Sequence, residues 1–127
     1  MRRGAGRSGK RQMTKRERVL RAMDNQPVDR PPVSFWFHFP LDMDLEKDCV
    51  KAHLDCYHKT DIDFIKIMCD GFFDYPNDWV AKVRKPEDWL LMEPLGEKHP
   101  FIRGQVERAK EIVDALNGEC CTFYNVF

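Results

Sequence analysis

A handful of residues in this 127-residue chain have chemistry beyond filling space. Lys66 lies inside the apolar run Phe64-Ile65-Lys66-Ile67-Met68. An ammonium there needs a partner, which either a ligand-binding role or a buried ion pair supplies. His38 comes near the end of a second apolar, aromatic run, Val33 to Phe39, and can serve as an acid, a base or a polar contact. Asp70 follows the Lys66 run and precedes Gly71, either as a site carboxylate or as the opening of a turn. Cys49, His53 and Cys56 are spaced i, i+4 and i+7, which puts three soft ligands on one helical face. Tetrahedral zinc asks for a fourth ligand or an open water position. Small cysteines on an apolar stripe are more simply core, so no metal site is assigned. Cys120 and Cys121 point to opposite faces of a strand and cannot chelate together.

These residues need elements to position them. Thr14-x-x-Glu17 is a capping box, and Val19, Leu20 and Met23 follow on one face, so a helix is expected over 14–24. Pro27 pushes Gln26 out of the α region and ends it. Val33 to Phe39 is the first expected strand, closed by Pro40. A helix over 43–58 carries the stripe Leu45, Cys49, Ala52 and Cys56. The Lys66 run is a second strand, apolar enough to be buried on both faces, as in parallel sheets. An irregular stretch over 69–84 follows it, where α/β folds keep their sites. Lys85-Pro86-Glu87-Asp88-Trp89 opens a short helix. The clearest helix covers 100–117, with Ile102, Val106, Ala109, Ile112, Val113 and Leu116 as its apolar face and Gly118 past its end. Cys120 to Phe127 is the third strand, with Asn125 near its end. Alternating helix and strand argues for an α/β fold with parallel strands and right-handed crossovers. By parity, Ser34, Trp36 and His38 share one strand face, as do Phe64, Lys66, Met68 and Asp70.

Composition narrows the function classes. The formal net charge is zero, which argues against a dedicated nucleic-acid binder. The first 21 residues nevertheless hold nine basic residues against Glu17, a local balance of +8. A nucleic-acid or membrane-surface arm is one reading of that head. A basic disordered leader over 1–12 is the one adopted, because those residues have almost nothing to bury. They lack an apolar signal core, and Met13 makes a natural start. No 18-residue apolar run suggests a membrane span. Five cysteines without a CxxC pair suit a reducing, cytoplasmic setting.

Arg16-Glu17-Arg18-Val19-Leu20, with Pro27-Val28-Asp29-Arg30-Pro31-Pro32-Val33, resembles the N-terminal signature of the uroporphyrinogen decarboxylase family. In that family a capping helix enters a "PVDRPPV" turn and the first strand of a (β/α)8 barrel. Asp63 to Asp70 resembles the family's second strand, which ends in an active-site aspartate. Lys85-Pro86-Glu87-Asp88 is similar to a family helix start. The resemblance implies that residues 13–127 form the N-terminal portion of a TIM barrel, about three parallel strands with flanking helices. It implies Asp70 and His38 as catalytic residues at strand ends, and Lys66, Trp36 and Asn125 as substrate-binding residues on the inner face. Asp70 would accept hydrogen bonds from pyrrole-type N–H groups or balance a cationic intermediate.

The implied substrate is a small molecule, either a tetrapyrrole or a corrinoid-linked methyl group. Family decarboxylases carry two arginines for substrate carboxylates where this chain has Phe37 and Leu41. That difference moves weight toward the family's corrinoid methyltransferases, which use zinc and a corrinoid, with zinc ligands in later strands. No cofactor is expected within these residues themselves. A barrel takes about 250 residues, so a homo-oligomer, a partner chain or a non-catalytic product is the remaining expectation.

Overall fold

The computed structural model describes residues 11–36, 38–40, 46–67 and 76–125. Asp70, Phe37, Leu41, Leu45 and Met68 lie outside the described residues, as does most of the basic head.

Helix α1 spans Lys15–Met23. The Thr14 hydroxyl accepts the Glu17 N–H at 3.1 Å, which is the capping interaction anticipated. Its buried residues are Arg18 and Val19, whereas Leu20 and Met23 are exposed. Helix α2 covers Glu46–Lys59 and buries Cys49, Ala52, His53 and Tyr57. Strand β1 is Phe64–Ile67. The short helix expected at 85–89 is a 3-10 turn over Pro86–Leu91, preceded by another over Val80–Lys82. The Asp88 carboxylate accepts the Arg84 and Lys85 N–H groups and fixes its start. Helix α3 runs Pro100–Leu116. Its exit uses two left-handed residues, Asn117 (φ 44°) and Gly118 (φ 77°), the second without the Cβ penalty. Strand β2 is Cys121–Tyr124.

β1 and β2 pair in parallel, from Phe64 opposite Cys121 to Ile67 opposite Tyr124. The parallel α/β arrangement therefore holds for this pair. The buried cluster takes Ile65 and Ile67 from β1, Tyr57 from α2, and Ile112 and Leu116 from α3. Both helices thus cover the same face of the sheet. Full burial of a side chain such as Ile112 is worth about 1.5–3 kcal/mol.

Three expectations need correction. β1 is covered on one face only among the described residues: Phe64 and Lys66 alternate with the buried isoleucines and remain partly exposed. The buried line of α3 is Arg108, Ile112 and Leu116, while Val106 and Val113 sit on its flank, 62% and 45% exposed. The stripe is wider than the surface that covers it among the described residues.

The third correction concerns the first strand. Residues 33–36 are extended but form no ladder. Asp63 N–H donates to the Val33 carbonyl at 2.7 Å, yet Val33 N–H turns to the Asp63 carboxylate at 2.8 Å. The Ser34 hydroxyl occupies the Phe64 carbonyl at 2.7 Å. Pro31 and Pro32 have no N–H to give. Side-chain bonds replace the ladder, and the segment still runs beside β1 in the same direction. Val33 meets Asp63, Ser34 meets Phe64, and Trp36 meets Lys66, each pair thirty positions apart.

Candidate functional site

Charged residues gather at both ends of β1, in different states. At the amino end, Asp63 is fully buried and Arg18 nearly so. Arg18 grips Asp29 through two bonds, Nε to Oδ1 at 2.7 Å and Nη2 to Oδ2 at 2.9 Å. Its Nη1 reaches Asp63, and Arg30 adds a second two-pronged contact to the same carboxylate. Backbone N–H groups of Met13 and Arg30 close on Asp29. The Arg18 guanidinium, hydrogen-bonded to Asp29, holds that carboxyl well below the usual carboxylate range against the opposing effect of burial. Burial pushes Asp63 upward, but Arg30, the Val33 N–H and Arg18 outweigh it and keep its carboxyl low. Asp29 in turn raises Arg18.

This latch was not singled out from the sequence. Its members lie 11, 33 and 45 positions apart, beyond any local pattern. The available signal was an aspartate set immediately before an apolar strand, together with an aspartate and an arginine fixed in a proline-rich turn. The latch ties α1 and the turn to β1, so it is structural.

At the other end, three of the anticipated site residues come together. The Lys66 ammonium lies 3.9 Å from the centroid of the Trp36 ring, and the Trp36 and His38 rings are 5.4 Å apart and tilted by 58°. Phe64 meets Phe123 edge-to-face at 5.1 Å. Asn125 follows directly on β2, two residues past Phe123, the register partner of Lys66. Asp70, the remaining catalytic candidate, is outside the described residues. Lys66 rests on an aromatic face, and no ion pair to it is formed among the described residues.

Cys49 and His53 form a buried pair. His53 Nδ1 lies 2.7 Å from the Cys49 carbonyl, to which it donates, and 3.6 Å from Cys49 Sγ. The Phe39 ring meets it edge-on at 4.7 Å. Burial drives the imidazole's pKa down, the Cys49 carbonyl opposes this, and Arg108 adds to the depression. Burial raises the thiols of Cys56 and Cys120, so both are protonated at neutral pH and neither is an activated nucleophile. It also drives Tyr57 up to about 12. Among the described residues, no three His, Cys, Asp or Glu side chains are grouped to hold a metal ion. A cavity of about 20 Å³ beside Ser34, Phe39, His53 and Lys66 has room for roughly one water.

Fold and site together define a mixed α/β chain. Helices lie on one face of a parallel strand pair, and an aromatic cluster around a lysine lies on the other. Comparison with protein-family models, curated proteins and solved structures finds no match to the chain. No helix among the described residues is long and apolar enough to cross a membrane.

Proposed function

We propose that these residues form the first strand positions of a (β/α)8 barrel of the uroporphyrinogen decarboxylase kind. The completed barrel acts on a tetrapyrrole or a corrinoid-linked substrate, as a carbon–carbon lyase or by C1 transfer. One observation carries this reading. The 33–36 segment, β1 and β2 are neighbours in chain order, and the helices that connect them, α2 and α3, pack on the same face. Right-handed crossovers that advance one strand at a time in the same direction keep their helices on one side, as successive units of a barrel wall do.

In that setting the opposite face is the interior. Lys66, Trp36 and Asn125 line the wall as substrate contacts. His38 and Asp70 belong to the strand ends where barrel enzymes keep their acids and bases. Of the two reactions, C1 transfer is favoured by Phe37 and Leu41 at the positions of the decarboxylases' carboxylate-binding arginines. Zinc and a corrinoid belong to that reaction, with the metal held by later strands of the family.

The reading frame beyond Phe127 tests the assignment most directly. Further βα units with a His/Cys zinc set support methyl transfer, and further units with carboxylate-binding arginines support decarboxylation. The isolated chain gives a second test, by light scattering and thermal unfolding. An unfinished wall is expected to self-associate or melt without cooperativity. A monodisperse monomer with one sharp transition overturns the barrel reading.

A further inference from the structure

We infer that the sheet face opposite the helices binds a planar aromatic molecule carrying a single carboxylate, with Lys66 pairing the anion and Trp36 stacking on the ring. The inference rests on reading that face as the ligand-facing side of the wall, and it specifies the ligand's chemistry.

The pairing of Lys66 is the first argument. It lies in a strand, partly buried, and no carboxylate among the described residues is within ion-pair distance of it. The arginines at the other end of the same strand are both paired to Asp63. Lys66 is also held in place. Its ammonium rests on the Trp36 ring at 3.9 Å, a cation–π contact that satisfies a charge without consuming its three N–H donors. A donor group set over a ring, with no carboxylate partner among the described residues, suits an incoming anion.

The surroundings set the rest of the ligand. Trp36 is 60% exposed although it already contacts both Lys66 and His38. Phe64 and Phe123 continue the aromatic surface across the sheet. Sites for small molecules pair a large apolar area with a few placed polar groups, and this face has that composition. One lysine answers one negative charge. Additional carboxylates would be set against the apolar rings of Trp36, Phe64 and Phe123, where burying an unpaired charge is costly.

Isothermal titration of the full chain at about pH 8 tests the inference. The probes are naphthoate, naphthamide, acetate and pyromellitate. Naphthoate is expected to bind about tenfold more tightly than naphthamide, the scale of one charge-assisted contact. Acetate and pyromellitate should bind more weakly than naphthoate. Lys66→Met should bring naphthoate down to the level of the amide, and Lys66→Arg should retain the preference. Trp36→Leu should weaken acid and amide alike. Circular dichroism of each variant separates lost binding from lost structure. Equal binding of acid and amide, an unaffected Lys66→Met, tighter binding of pyromellitate, or no binding at all each overturns the inference. A cooperative monomer that binds naphthoate keeps this inference and defeats the barrel; an assembling chain that ignores naphthoate does the reverse.

Discussion

The two ends of β1 use charge in opposite ways. At Asp63 every strong donor and acceptor is matched: two arginines and a backbone N–H converge on one fully buried carboxylate. At Lys66, three residues further on, the charge faces an aromatic ring and partial solvent. A saturated network fixes geometry, and an unsaturated one leaves capacity for a ligand. Asp63, just before a strand of four residues, and Lys66, within it, place the stabilising and the receptive parts three positions apart.

The contrast is broken most forcefully at Asp63. Asp63→Asn takes from the buried Arg18 one of its two carboxylate partners, and losing one member of a buried ion pair costs on the order of 3–5 kcal/mol. The urea midpoint should fall sharply; an unchanged midpoint would mean that the latch contributes nothing net. Acid gives the next largest effect. The folded carboxyls of Asp29 and Asp63 lie below their unfolded value of about 3.9, so their contribution is complete above that pH and is lost as the pH falls through the folded values. Unfolding monitored by circular dichroism should therefore steepen below about pH 4, and Asp29→Asn should shallow that slope. Ser34→Ala, midway between the two ends, removes one hydrogen bond to the Phe64 carbonyl and should cost about 1 kcal/mol in thermal or urea unfolding. Lys66→Met should change stability by no more than about 0.5 kcal/mol, because a partly exposed cation on a ring contributes little. A loss as large as that at Asp63 would make Lys66 structural and remove the contrast.

Sequence periodicity located α1, α2, α3, β1 and β2 to within a few residues, because each carries a local pattern. What it missed depends on distant partners. The Val33 to Phe39 run has strand composition, yet its ladder is pre-empted by a carboxylate thirty residues away. The apolar face of α3 included Val106 and Val113, but only the surface of α2 and β1 decides which part of a stripe is covered. Arg108, which no apolar pattern selects, is buried there, with Gln105 accepting from it. Trp36, His38 and Lys66 were legible as a group through parity at strand ends. Their mutual contact follows from the offset of thirty, which the latch sets and the sequence pattern does not display.

That offset has a kinetic consequence. Closing a loop of about thirty residues costs roughly 3 kcal/mol of chain entropy plus a constant, and the cost is incurred before any contact repays it. Since Val33–Asp63, Ser34–Phe64 and Trp36–Lys66 span the same interval, the first to form closes the loop for the others. The aromatic cluster should therefore appear in step with the latch during refolding, and slowing one by substitution should slow the other.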